Sequence, residues 1–136
     1  MISVSYLLSM IKNMAEDNII EIKSYAFAIR IVNAYKYLVE DQKEYVLSKQ
    51  LLRCGTSIGA NVAEAVGSQT DKEFNSKFYI SYKEARETQY WIKLLADTSY
   101  FSVTQRDSLL VDVEELLKIL GSILKTMKRK LEKKEE

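Results

Sequence analysis

The sequence predicts an all-α protein that folds as an antiparallel, up-down four-helix bundle. It contains no proline and only four glycines in 136 residues, and these two residue types interrupt helices most strongly. Apolar residues recur every three or four positions in four separate segments, whereas no segment alternates with the two-residue period of a strand. A chain of this length is expected to form one domain with its own core.

The first two helices are expected over residues 24–39 and 43–67. Ser24 is the expected N-cap of the first helix, and Asp41 with Glu44 has the spacing of a capping box before the second. The second helix is expected to end at glycine 67. The apolar positions of these two helices are Phe27, Ile31, Ala34, Leu38, Leu47, Leu51, Cys54, Ile58, Val62 and Ala65.

The third and fourth helices are expected over residues 71–98 and 104–132. Thr70 and Glu73 form a capping box before the third helix, and the aromatic residues of that helix surround more than one face. This distribution predicts burial on two sides, against the bundle and against another subunit. The fourth helix has nearly the 3.5-residue apolar repeat of helical bundles, at Leu109, Val113, Leu116, Leu120, Ile123, Met127 and Leu131.

Residues 1–18 are interpreted as an N-terminal extension of a bundle that occupies residues 19–134. The extension has no basic residue before its apolar patch and no typical cleavage site, so a signal peptide is not indicated. No apolar run approaches the ~18 residues that a membrane span requires. Whether translation starts at Met14, downstream of the apolar patch, stays open.

The composition excludes most kinds of chemical site. The chain has no histidine and a single cysteine, Cys54, which removes Ser-His-Asp triads, internal disulfides and most metal sites. We therefore expect no metal and no cofactor, a reducing cytoplasmic environment, and a buried apolar role for Cys54. The formal net charge of +1 provides no overall attraction to nucleic acid or membrane.

Residues 51–69, LLRCGTSIGANVAEAVGSQ, contain three of the four glycines. A phosphate-binding loop is not indicated, because no strand precedes the glycines and no Lys-Ser/Thr pair follows them. On a helical wheel a stripe of small residues appears instead, at Gly55, Gly59, Ala63 and Gly67. Each interior glycine costs about 1 kcal/mol relative to alanine, so the stripe predicts close approach of a neighbouring helix.

A polar stripe on the same helix and three charged residues of the third helix are expected to form one network: Arg53, Ser57, Asn61, Glu64, Glu84, Arg86 and Glu87. Arg53 is expected to bind Glu84 or Glu87, since guanidinium groups bind carboxylates in a bidentate manner. Arg86 is expected to pair with Glu64. We interpret the network as one that sets helix register or joins subunits. A ligand or RNA groove, and a carboxylate pair acting as general acid and base, stay open as alternatives.

The end of the chain is basic, with seven Lys or Arg and one acidic residue over residues 118–134. Cations near a helix C-terminus suit the negative end of the helix dipole, and this explanation is the simpler one. The alternative is contact with RNA or with an acidic partner. The candidate nucleic-acid contacts are Lys118, Lys125, Lys128, Arg129 and Lys130.

Residues 51–65 resemble the R-x-x-x-S-I-x-x-N-I-A-E-G signature of a four-helix-bundle family, the 23S rRNA intervening sequence proteins. Residues 79–87, YISYKEARE, are similar to the third-helix motif of that family. The likeness covers residues 19–128. Gly59 stands where many members have proline, and Ala65 replaces the glycine that follows the glutamate of the signature.

The resemblance implies a four-helix bundle that assembles as a ring-like homopentamer, and it does not imply an enzyme. The family name records that some members are encoded within insertions in ribosomal RNA genes. Relatives that accompany diversity-generating retroelements resemble accessory proteins that bind RNA and reverse transcriptase through strongly basic surfaces. A net charge of +1 departs from that property.

We therefore expect a non-enzymatic, homo-oligomeric scaffold or adaptor of the cytoplasm that binds RNA weakly. The expected partners are other copies of the chain, with RNA or a nucleic-acid enzyme as further candidates, and neither a membrane nor a metal is expected. A purely protein-binding module is the first alternative. An enzyme that uses Glu64, Glu84 or Glu87 is the least favoured one, because it requires a concave pocket around these carboxylates.

Overall fold

The computed structural model describes residues 3–135, together with the side chains of residues 3–8 and 18–134. Within this range the chain is all α-helical, as the sequence predicts, and contains no strand. The four helices are α1 (Val4–Glu40), α2 (Leu47–Val66), α3 (Asp71–Asp97) and α4 (Val103–Glu135). None of them is, over the described residues, both long enough and apolar enough to cross a membrane.

Each helix runs antiparallel to its neighbours around one core. Gly55 of α2 lies against Ile31 of α1, and Gly59, one turn later, lies against Ser24, so the order of contacts is reversed. The remaining contacts join α2 to α3, α3 to α4 and α4 back to α1, while no Cα atom of α2 comes within 8 Å of one in α4 in the described part of the chain. This cyclic arrangement is that of a four-helix bundle.

The start of α1 differs from the sequence-based prediction. The helix begins at Val4 and not near Ser24, and its N-cap is Ser3, whose hydroxyl accepts the Tyr6 N–H at 3.2 Å. Ser24 is instead a buried residue inside the helix, with its hydroxyl directed at the Glu21 carbonyl at 3.3 Å. No proline or glycine interrupts residues 4–40, so the helix continues through the segment interpreted as an extension.

Glu44 caps the second helix in a way that the expected Asp41–Glu44 capping box does not describe. Asp41 is the C-cap of α1, and the Glu44 carboxylate accepts the backbone N–H groups of Val46, Leu47 and Ser48 at 3.2, 2.9 and 2.6 Å. Burial alone would raise the pKa of Glu44, but these hydrogen bonds together hold that pKa below its usual value. One carboxylate thus satisfies three N–H donors that the helix itself leaves unpaired.

The other two helix starts carry side-chain caps as well. The Thr70 hydroxyl accepts the Glu73 N–H at 3.1 Å, which confirms the predicted cap of α3. Ser102 and Gln105 form a reciprocal capping box at α4, with distances of 2.8 and 3.1 Å, that the sequence analysis did not identify. At the end of α2, Gly67 is the C-cap, as predicted, with an ordinary negative φ of −83°.

The small-residue stripe of α2 is a packing surface at two of its four positions. A Cβ added to Gly55 would lie 2.7 Å from Cγ1 of Ile31, and one added to Gly59 would lie 3.2 Å from the Ser24 carbonyl oxygen. Ala63 is exposed, and Gly67 lies at the helix end. Close approach of α1 therefore accounts for Gly55 and Gly59 only.

Candidate functional site

Arg53 of α2 joins two carboxylates of α3. Its Nη1 lies 3.3 Å from Oε2 of Glu84, and its Nη2 contacts the carboxylate of Glu87. The Glu87 carboxylate also accepts the indole N–H of Trp91 at 3.2 Å. The Arg53 side chain is 49% exposed, so water screens these ion pairs and their contribution to stability is small.

Ser57 and Asn61 bond to the backbone of their own helix. The Ser57 hydroxyl donates to the Arg53 carbonyl at 2.6 Å, and the Asn61 amide donates to the Ser57 carbonyl at 2.8 Å. These bonds run along α2 and do not reach α3. The polar stripe is therefore a set of local hydrogen bonds joined to one cross-helix arginine.

The expected pair of Arg86 and Glu64 is wrong. Glu64 pairs with Lys77, the residue before the buried Phe78 on α3, at 2.7 Å. Arg86 is exposed on the side of α3 that faces away from α2, and it forms no ion pair within residues 3–135. Sequence spacing identifies charges on a helix, but the rotation of α3 in the bundle decides which of them α2 can reach.

Cys54 lies at the buried boundary of α2 and α3. Its side chain is fully buried, as expected, and the Thr88 hydroxyl lies 3.3 Å from its sulfur. Burial raises the pKa of Cys54 to about 11, so the thiol is protonated and a poor nucleophile at neutral pH. Next to it, the buried Ser81 hydroxyl donates to the Ile58 carbonyl at 2.8 Å. The polar groups at this boundary are therefore hydrogen-bonded inside the core.

The basic end of α4 divides into paired and unpaired residues. Lys130 lies 3.3 Å from the Asp71 carboxylate in the first turn of α3, and Lys134 contacts the same carboxylate. The hydrogen bond from Lys134, with that from Lys130, lowers the pKa of Asp71. Five exposed residues have no ion-pair partner within residues 3–135: Lys118, Lys125, Lys128, Arg129 and Lys133.

Two open clefts of about 460 Å³ each lie on opposite sides of α4. The first, between α1 and α4, is lined by Arg30, Tyr37 and Phe101 among others, and Arg30 also pairs at 2.5 Å with Asp112, which lies outside this lining. The second, between α3 and α4, is lined by Tyr79, Lys125 and Lys128 among others. Neither cleft is lined by Glu64, Glu84 or Glu87.

An exposed apolar stripe on α1 escaped the sequence analysis. Ile22, Tyr25, Ile29 and Val32 follow one another at spacings of 3, 4 and 3 residues, and their exposed fractions are 62%, 71%, 51% and 36%. The core face of α1, with Phe27 and Ile31, lies on the other side of the helix. The 3-4-3 spacing was visible in the sequence, but a helix with two apolar faces does not reveal which one meets its own bundle.

Two comparisons with known proteins found proteins similar to this chain. The sequence profile described as "23S rRNA-intervening sequence protein" matches residues 16–122. A solved protein of unknown function from the S23 ribosomal protein family, from Bacteroides thetaiotaomicron, is 51% identical, with a TM-score of 0.80. The match covers 81% of the present chain and 98% of the solved one. No curated protein matches significantly.

Proposed function

Because the chain belongs to the family of 23S rRNA-intervening sequence proteins, we propose that it is a non-enzymatic, homo-oligomeric scaffold or adaptor that binds RNA weakly. The observation that carries the proposal is the exposed stripe of Ile22, Tyr25, Ile29 and Val32 on α1. Contiguous apolar surface on a bundle is a typical contact for another protein. Five copies in a ring is the stoichiometry that the family resemblance implies.

A second copy of the chain is the occupant that best suits the α1 stripe. Its 3-4-3 spacing is that of a coiled-coil seam, in which the side chains of one helix fill the gaps between those of another. Ala26, Ala28 and Asn33 flank the stripe, and such short side chains let two helices approach closely. Full burial of one isoleucine contributes about 1.5–3 kcal/mol, so the stripe is a substantial source of binding energy.

The state of the three candidate carboxylates supports a non-enzymatic role. Glu64 pairs with Lys77, while Glu84 and Glu87 share Arg53. Neither of the two open clefts is lined by any of the three, although an enzyme would need a concave pocket that presents them to a substrate. The network is better suited to joining α2 with α3.

Light scattering coupled to size-exclusion chromatography tests the assembly. We expect the wild-type protein to elute as a multiple of its 15.7 kDa chain mass, with five times that mass for the ring. Replacing both Ile22 and Ile29 with Glu should yield folded monomers, because carboxylates would have to be buried in the seam. Val111→Glu, at an equally exposed apolar residue of α4, is the matched control and should leave the mass unchanged. A monomeric wild-type protein at micromolar concentration would overturn the proposal.

The five unpaired cations at the basic end of α4 support the RNA component. Lys125 and Lys128 lie at the α3–α4 cleft, where their charge is free to contact phosphate groups. In filter binding we expect an RNA affinity that falls steeply with salt and weakens when Lys125 and Lys128 are both changed to Gln. Lys49→Gln, at an exposed cation on α2, is the control. An RNA affinity that is absent or independent of salt would remove this component.

The alternative of a purely protein-binding module has support from the same α1 stripe. The two possibilities differ in how a captured partner responds to nuclease and salt. A partner that stays bound after nuclease treatment and in high salt would favour the protein-binding module. Loss of binding under both treatments would favour the RNA component, because phosphate contacts are weakened by salt.

A further inference from the structure

One side of α3 carries four cations, two tyrosines and one asparagine. The residues follow at spacings of three or four: Lys72, Asn75, Tyr79, Lys83, Arg86, Tyr90 and Lys93. At 100° per residue these seven positions lie within about 80° of one another on the helix surface. None of these seven is acidic, and the next position on the same side is Asp97, the last residue of α3. We call this set the cation–tyrosine stripe.

The tyrosines of the stripe are unusually exposed, and its charges are not neutralised. Tyr79 is 55% exposed and Tyr90 is 59% exposed, and the ammonium group of Lys83 lies over the Tyr79 ring at 5.6 Å from its centroid. The four cations of the stripe make no ion pair within residues 3–135: Lys72, Lys83, Arg86 and Lys93. On the side of α3 that faces α2, by contrast, Lys77, Glu84 and Glu87 are all paired.

The stripe borders the open cleft between α3 and α4. Asn75 and Tyr79 form one wall of this cleft of about 460 Å³, and Lys125 and Lys128 lie on the opposite wall. Leu124 and Leu131 form an apolar floor. The cleft thus combines an accessible aromatic ring, an apolar surface and two unpaired cations within a volume typical of small-ligand sites.

This combination suits a strand of nucleic acid whose bases are free. Cations contact phosphates irrespective of sequence, while an exposed aromatic ring offers a stacking surface to any base. Tyr79 and Tyr90 are eleven residues apart, or about 16 Å along the helix, so a strand following α3 meets both rings. A duplex hides the faces of its bases, so the tyrosines would contribute nothing to duplex binding.

We propose that the α3–α4 cleft and the cation–tyrosine stripe form a binding site for single-stranded RNA, in which a base stacks on Tyr79 and Lys125 and Lys128 contact the adjoining phosphates. The site rests on the RNA component of the proposed function and specifies the form of RNA that is bound. RNA is preferred to DNA because Asn75 and Glu132 line the same cleft and can bond to a ribose 2′-hydroxyl, which DNA lacks.

Fluorescence anisotropy with a labelled oligouridylate of about ten nucleotides, a length within the range of known single-strand sites, tests the stacking contact. We expect Tyr79→Ala to weaken binding about tenfold, since stacking of one base contributes about 1–3 kcal/mol. Tyr79→Phe keeps the ring and should bind as the wild type does. Tyr45→Ala, at an equally exposed tyrosine between α1 and α2, should also leave affinity unchanged. Equal affinities for the wild type and Tyr79→Ala would overturn the proposal.

Three further probes of the same length separate this site from a general anion surface. An abasic oligonucleotide keeps the phosphates without the bases, and we expect it to bind about tenfold more weakly, as should the corresponding RNA duplex. Equal affinity for the abasic probe would refute stacking but leave the RNA component of the proposed function intact. Equal affinity for single-stranded DNA would overturn the assignment to RNA. If none of the probes binds, both the site and the RNA component fail.

Discussion

Gly55 packs tightly against Ile31 of α1, and Gly55→Ala should destabilise the protein. Alanine would gain about 1 kcal/mol from its higher helix propensity. Its Cβ would, however, lie 2.7, 2.8 and 3.0 Å from three side-chain atoms of Ile31, which is fully buried. The β-branched isoleucine has little rotational freedom in a helix, and overpacking of this kind costs about 1–3 kcal/mol. We expect a net loss of about 1 kcal/mol.

Gly121→Ala is the matched control for this change. It also lies inside a helix, but its added Cβ would meet only Cε2 of Tyr82, at 4.0 Å, which is an ordinary van der Waals contact. Propensity therefore acts alone, and this variant should gain about 1 kcal/mol. Urea unfolding followed by far-UV circular dichroism, at one fixed chain concentration, measures both free energies.

The contact with Ile31 can be tested directly by a double-mutant cycle. Ile31→Ala alone should cost about 2–5 kcal/mol, because it removes a buried side chain beyond its Cβ. In the Gly55→Ala background the same change should cost less, because it removes all three atoms that the new Cβ overlaps. The packing argument is refuted if Gly55→Ala stabilises the protein as much as Gly121→Ala, or if the cycle is strictly additive.

Three other predictions concern the cap, the thiol and the cross-helix arginine. Glu44→Gln should lower the free energy of unfolding by about 1 kcal/mol at neutral pH. The pKa of Glu44 is lower in the folded protein than in the unfolded chain. Its contribution to the free energy of unfolding is therefore complete above the unfolded pKa of about 4.3 and is lost as pH falls through the folded pKa. Urea unfolding at about pH 3 should show a smaller difference in stability between the wild type and Glu44→Gln. A difference that grows in acid would contradict the capping role. Cys54 should resist a thiol reagent at pH 8 in the native protein and react fully in denaturant. The reason is that its side chain is buried and burial raises its pKa to about 11. Rapid labelling of the native protein would instead show that the core opens. Arg53→Met should lower the free energy of unfolding by less than about 1 kcal/mol, and by less again in high salt, because the ion pairs with Glu84 and Glu87 are half-exposed. A large loss of stability that does not depend on salt would show that the network is structurally essential.

Much of the bundle could be predicted because the signals that define its helices lie within short segments of the sequence. The apolar repeats of α2 and α4, the Thr70 cap and the Gly67 end all lie where the sequence places them, since periodicity and capping act over a few residues. The sequence-based prediction misplaced the start of α1, because serine is a common N-cap residue but Ser24 does not cap the helix. Nothing in the following residues distinguishes a capping serine from one that packs against Gly59.

The candidate sites were less accessible to prediction. Arg53 meets Glu84 and Glu87 as its spacing suggests, whereas Lys77 and not Arg86 reaches Glu64. Lys130 was grouped with the free cations of α4, but the fold brings Asp71 beside it. The exposed stripes of α1 and α3 have clear spacings in the sequence, yet helical spacing alone does not state which face is turned to water.

The sequence by itself determined the all-α class, the family and most helix boundaries, because these depend on interactions between residues close in the chain. Tertiary structure decided which charges are paired, which glycines admit a neighbouring backbone, and that Tyr79, Lys125 and Lys128 border one cleft. These properties depend on how far each helix is rotated about its axis. That rotation is set by the packing of side chains from three helices at once, and no single segment contains it.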